Sequence, residues 1–126
     1  MKKFWCLLLV LFLFGYSTFA QQNDAFKVLA PAVYKKEIQI EKVQLVDVRT
    51  PNEFNDGHIK GAKNVDFMAD SFLLQMQDFD KSQPVYLYCR SGNRSAKAAA
   101  LLLDHGFQSI IDLKGGYLAW KAFEKK

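Results

Sequence analysis

The sequence predicts an α/β domain, with a small parallel sheet flanked by helices on both faces. Three observations carry that expectation. Short runs rich in β-branched and other apolar residues alternate with helix-patterned segments. One of them, residues 84–89, is a continuous apolar run, the pattern of a strand covered on both faces. No internal repeat, low-complexity tract or linker divides the 126 residues, which are material for one core and not two.

The first twenty residues stand apart. Lys2 and Lys3 precede an apolar run over residues 4–14, and Thr18 and Ala20 are small residues before Gln21. This is the pattern of a secretory signal peptide, with cleavage expected between Ala20 and Gln21 and a domain over residues 21–126. The run is about half the length of roughly 20 that a spanning helix needs. Cys6 precedes the apolar stretch, which does not fit a lipoprotein. The expectation is an exported chain, periplasmic or secreted, with no membrane attachment after cleavage.

Composition narrows the function classes. Hydrophobic residues at 50% and charged residues at 24% exclude a disordered chain. Lys2 and Lys3 account for two of the four net positive charges, so the basic balance belongs partly to the leader. No Lys/Arg cluster with interleaved aromatics follows, and no nucleic-acid partner is expected. Two cysteines are too few for a stapled miniprotein or an all-cysteine metal site, and two isolated histidines exclude a zinc finger. Without Cys6, Cys89 is a lone thiol in an oxidising compartment. Such a thiol is either buried and inert or kept for its reactivity.

The elements follow in order. Residues 43–48 are rich in β-branched residues and end at a turn, the signal of a strand. Thr50-Pro51-Asn52-Glu53 combines a capping box with proline at the first helical position, so a short helix begins there. Asp56-Gly57 and Lys60-Gly61 punctuate the chain before a short strand over 62–65. Residues 71–77 predict a helix, and 84–89 the buried strand. Residues 95–105 form the clearest helix: alanines at 96, 98, 99 and 100 permit close approach to a sheet, Gly106 suits the C-terminus and His105 the last turn. A strand over 109–113 and a helix over 117–124 close the chain.

Chemistry concentrates in Cys89-Arg90-Ser91-Gly92-Asn93-Arg94-Ser95. This loop leaves the carboxyl end of a buried strand and enters a helix, the place where open α/β sheets bind ligands. Gly92 and Asn93 both tolerate positive φ, so the loop can curl until successive N–H groups point inward. A ring of donors backed by a helix dipole holds an anion, and here the anion can be the cysteine sulfur. Free cysteine titrates near 8.5, leaving about 3% thiolate at neutral pH; roughly 2 kcal/mol of stabilisation makes it about half ionised. A reactive thiolate is expected at Cys89.

These residues resemble the active-site loop of the rhodanese family of sulfurtransferases. Leu45-Val46-Asp47-Val48-Arg49-Thr50-Pro51-Asn52-Glu53-Phe54 is similar to the family's first signature, and Gly57-His58-Ile59-Lys60-Gly61-Ala62-Lys63-Asn64-Val65 to the segment after it. Leu113-Lys114-Gly115-Gly116-Tyr117-Leu118-Ala119-Trp120 resembles the closing motif. Lys60, where many members carry proline, is a small departure. The resemblance implies a single rhodanese-like domain of thiosulfate sulfurtransferase type. Cys89 would take a sulfur from a small anionic donor such as thiosulfate, carry it as a persulfide, and pass it to cyanide or a thiol. Residues Arg90, Ser91, Gly92, Asn93 and Arg94 would bind substrate and persulfide: their amides hold the charge, and Arg90 and Arg94 attract the donor. No metal and no organic cofactor are implied.

Two alternatives stand beside it. Phosphatases and arsenate reductases of related fold resemble one another in a loop one residue longer, whereas Arg94 lies five positions after Cys89. A phosphatase also calls for a placed acid, and no residue is assigned that role, although Asp47 ends a nearby strand. A sulfur carrier without turnover would need the same loop. The remaining residues read as structural: Arg49 and Glu53 as a pair four apart at the helix start, His58 as a turn residue, His105 as a helix-end residue, Tyr117 and Trp120 as core, and Gly115-Gly116 as a tight turn.

Overall fold

The computed structural model describes residues 24–126, so the expected leader over residues 1–20 lies outside the described residues. The elements are β1 (Phe26–Leu29), α1 (Pro31–Ile40), β2 (Gln44–Asp47), α2 (Pro51–Asp56), β3 (Lys63–Asn64), α3 (Phe72–Met76), β4 (Val85–Tyr88), α4 (Asn93–Asp104), β5 (Ile110–Leu113) and α5 (Gly116–Glu124). All strand pairings are parallel, in the order β1-β5-β4-β2-β3. The predicted α/β architecture is the one observed.

Side-chain alternation along the central strands divides the core into two layers. Val85, Leu87 and Cys89 face one side with Phe72 and Met76 of α3 and Ala98, Ala99 and Leu102 of α4. Tyr86 and Tyr88 face the other with Tyr34 of α1, Ile111, Leu113 and Trp120 of α5. Both layers being apolar, β4 and β5 are buried at every position, as the continuous run 84–89 requires. The alanines of α4 do what their size allows: Ala98 and Ala99 lie against the sheet, fully shielded.

Two elements were not anticipated, β1 and α1. β1 is an edge strand whose first three residues are exposed, and α1 buries only Tyr34. Neither segment is therefore under pressure to carry a clear apolar pattern. Their contribution is one long reach: the Tyr34 hydroxyl donates to the Leu87 carbonyl at 2.9 Å, fixing α1 to the central strand. Burial holds the Tyr34 phenol protonated well above its ordinary range.

The capping box forms as read: the Thr50 hydroxyl accepts from the Glu53 amide, and the Glu53 carboxylate accepts from the Thr50 amide. The expected Arg49–Glu53 pair does not form. Arg49 turns back to Asp47, with its Nη2 2.6 Å from Oδ2 and its Nε 3.0 Å from both oxygens. Asp47 is completely buried and Arg49 nearly so. A buried carboxylate needs a nearby counter-charge more than a solvated glutamate does, and that demand decides the partner.

Candidate active site

β4 is the middle strand of the sheet, and Cys89 follows it at the carboxyl edge. The Val48 amide donates to the Tyr88 carbonyl at 3.0 Å, holding the last residue of β4 before the chain leaves the sheet. Gly92 adopts φ 113° and caps α4, which is the sharp turn that brings the loop back over its own start. Its amide then donates to Cys89 Sγ at 3.0 Å. The Cys89 thiol donates to Ser95 Oγ at 3.3 Å. Sulfur thus sits at the N-terminal end of α4, where amide and dipole favour negative charge. Cys89 is 1% exposed, so its sulfur is shielded from solvent.

The loop departs from expectation at Asn93. Positive φ among the described residues is confined to glycines, and Asn93 is the first residue of α4 instead. One left-handed residue suffices for the turn. The inward ring of donors is correspondingly sparse around bare sulfur: Gly92 supplies its amide, while Arg90, Ser91 and Asn93 are exposed.

The arginines have different surroundings. Arg94 makes a two-pronged pair with Glu53, Nη1 to Oε1 at 2.7 Å and Nη2 to Oε2 at 2.9 Å. This draws the Glu53 carboxyl down to about 2, chiefly through the Arg94 hydrogen bond. The first signature segment and the active loop are thereby tied across 41 residues of sequence. Because the Glu53 pKa is depressed on folding, its contribution is present above about 4.5 and is lost as pH falls towards about 2. Glu53→Gln should flatten the melting-temperature profile across that window while leaving the profile above pH 6 parallel to the wild type. An unchanged acid limb would show that the pair adds nothing. Arg90 lies beside a cavity of about 240 Å³ that Tyr117, Leu118 and Lys121 of α5 also line.

Gly115-Gly116 proves to be more than a turn. Both residues have positive φ, and the amides of Tyr117 and Leu118 donate to the carbonyls of Cys89 (2.8 Å) and Arg90 (3.1 Å). The N-terminus of α5 therefore clamps the outward carbonyls of the loop. A Cβ on Gly116 would stand 2.5 Å from the Arg90 oxygen and 2.6 Å from the Cys89 oxygen. Gly116→Ala should push the loop off α5 and lower both stability and the reactivity of Cys89. Thermal unfolding and alkylation rate check this, and a variant matching wild type in both would remove the clamp from the account.

Of the other residues, His58 and Trp120 fall where the sequence placed them, and Tyr117, expected in the core, does not. His58 Nδ1 lies 2.9 Å from the Phe54 carbonyl and its ring stacks on Phe54 at 3.7 Å. Trp120 is in the core, while Tyr117 is half-buried and carries the Arg49 guanidinium 4.3 Å above its ring. Sequence reasoning missed Glu53 as the partner of Arg94, Ser95 as a neighbour of sulfur, and Asp112. Only Asp112 had a signal of its own: an acid inside the apolar run Ile110-Ile111-Asp112-Leu113.

The rhodanese-like domain family model matches residues 30–123. Thiosulfate sulfurtransferase GlpE of Pseudomonas aeruginosa is 31% identical over 100 residues, covering 79% of this chain and 88% of that one. An uncharacterised protein of Bacillus subtilis, YqhL, is 43% identical over 79 residues, covering 63% of this chain and 61% of its own length. Among solved structures, a rhodanese-like domain protein from Staphylococcus aureus superposes with a TM-score of 0.67 at 33% identity, over 75% of this chain and 90% of that one. The Alr3790 protein from Anabaena gives a TM-score of 0.69 at 31% identity, over 75% of this chain and 77% of that one.

Proposed function

Because the chain belongs to the rhodanese-like domain family, we propose that it is a sulfurtransferase whose nucleophile is Cys89. The observation that carries the reading is the Gly92 amide donating to Sγ at the start of α4. The same donor that steadies a thiolate can steady the outer sulfur of a persulfide.

The Cys89 thiolate attacks the outer sulfur of a donor such as thiosulfate. A new S–S bond forms, the bond within the donor breaks, and sulfite leaves with its electron pair. Cyanide or a thiolate acceptor then attacks the outer sulfur of the persulfide, and the Cys89 thiolate departs ready for another cycle. Neither departure requires a general acid, in keeping with a loop that holds no histidine or carboxylate. The amides from Arg90 to Arg94 receive the persulfide charge as the loop adjusts around the added atom. Arg90, exposed at the cavity mouth, draws in the anionic donor, and Arg94 shares that task while Glu53 fixes its direction.

Export completes the proposal: the leader over residues 1–20 directs the chain to the periplasm or the medium, with Gln21 as the first residue after cleavage. Steady turnover of thiosulfate and cyanide into sulfite and thiocyanate is the expected assay result. Transfer that stops at one sulfur per chain would identify a carrier instead, and phosphate release from a phosphomonoester with no sulfur transfer would overturn the reading.

A further inference from the structure

A cavity of about 560 Å³ lies where α1, the start of β2, the turn over residues 58–61 and the end of α5 meet. Its lining includes none of residues 89–95 and none of those around the cavity beside Arg90. Its size falls within the roughly 300–1,000 Å³ of small-molecule sites. Apolar side chains make the floor. Leu45, Ile59 and Trp120 are buried, and Ile38 and Val43 pack partly buried against the same core layer. Four of these five are aliphatic, and Trp120 is only 9% exposed, which leaves little ring face for a stacking partner.

The polar rim is unbalanced. Lys35, Lys42 and Lys60 line it against the single carboxylate of Glu124. Lys35 is already engaged, with its Nζ 2.8 Å from Glu124 Oε1 and 5.8 Å from the centroid of the Phe123 ring. That pair ties α1 to α5. Lys42 and Lys60 are exposed and have no carboxylate within ion-pair distance among the described residues. Lys60 stands where many rhodanese-like chains carry proline. His58, also on the rim, is occupied by Phe54, on which its ring stacks at 3.7 Å.

We propose that this cavity binds an amphiphilic anion with an aliphatic tail, a medium-chain fatty-acid carboxylate, with its tail on the apolar floor and its head held by Lys42 and Lys60. Charge complementarity selects the sign of the head, and the aliphatic floor selects the tail. Lysine suits such a rim, because its methylene stem covers apolar surface while its ammonium stays in water. A mobile point charge also meets a single carboxylate without imposing a fixed fork. Water released from the floor supplies affinity that grows with tail length. A planar aromatic acid would need the open ring face that Trp120 does not offer. A second copy of the chain, set on this face by a two-fold axis, would bring lysine against lysine. No part of the proposal rests on Cys89 being a nucleophile.

Isothermal titration calorimetry of the full chain with sodium decanoate, kept below its micelle concentration, tests the site. One-to-one saturation is expected, with hexanoate at least about tenfold weaker for want of four methylenes. Decyltrimethylammonium, with the same tail and the opposite head, should also bind at least about tenfold more weakly than decanoate. Lys42→Glu and Lys60→Glu alter exposed side chains, so circular dichroism should match the wild type while each weakens decanoate about tenfold. Residues 4–14 are apolar in every chain compared, so uptake by that stretch cancels between them. Cys89→Ser should bind decanoate as the wild type does. Absence of saturation, equal binding of hexanoate, or indifference to the charge of the head would overturn the proposal, and so would either lysine variant binding like the wild type. Binding lost in Cys89→Ser would move the ligand to the active loop and contradict it as well. Uptake of phosphatidylglycerol vesicles that needs Lys60, with no decanoate bound, would give the face to a bilayer instead and equally refute the cavity.

Discussion

Cys89→Ser should abolish sulfur transfer from thiosulfate, lowering turnover at least about a thousandfold, equivalent to roughly 4 kcal/mol of barrier. The hydroxyl is a poor nucleophile at neutral pH and cannot hold a sulfane sulfur as an anion. The replacement fits the space, because serine can accept from the Gly92 amide and donate to Ser95 as the thiol does. Melting temperature should therefore move little while activity disappears. Retained turnover would remove Cys89 from the chemistry, and lost turnover with a collapsed fold would assign it to structure instead.

Arg49→Ala should be the most damaging change to stability. Arg49 is the counter-charge of the wholly buried Asp47 and also donates to the Gly57 carbonyl at 2.7 Å. Its guanidinium lies against the rings of Tyr88 and Tyr117, at 5.6 and 4.3 Å from their centroids. Removing one member of such a pair strands the other, at a cost of about 3–5 kcal/mol. For a domain of this size that lowers the melting temperature by about 12 °C or more. Asp47→Asn in the same chain should restore part of the loss, because a neutral amide needs no counter-ion. Thermal unfolding of the single and double variants checks both statements. A double variant no more stable than Arg49→Ala would show that packing, not charge, governs the position.

The route from β2 to α5 is legible in the sequence because each step is locally marked. Thr50-Pro51-Asn52-Glu53 starts a helix through its own side chains, and the unbroken apolar run at β4 follows from helices on both faces. β1 and α1 escape because an edge strand and a helix that buries one tyrosine leave little pattern behind. Within the site, Cys89 and Gly92 are legible, since a strand-to-helix loop with one left-handed residue is a local matter. The partners are not. Which carboxylate meets Arg94, and which meets Arg49, depends on burial that only the assembled sheet determines: Asp47 is enclosed and claims Arg49, leaving Glu53 for Arg94. The contact of Gly116 with the Cys89 and Arg90 carbonyls is equally tertiary, the meeting of two loops at one sheet edge.

Three devices meet at that edge. A glycine turn aims an amide at sulfur, a second glycine lets α5 hold the outer carbonyls, and an arginine–glutamate pair braces the far end. Each device fixes backbone direction around Cys89.

Mass spectrometry of the chain after incubation with thiosulfate reads the sulfur on Cys89 itself. A single added sulfur is expected on the peptide containing Cys89, removed again by cyanide. An unmodified Cys89 peptide under those conditions, or sulfur found on another residue, would contradict it.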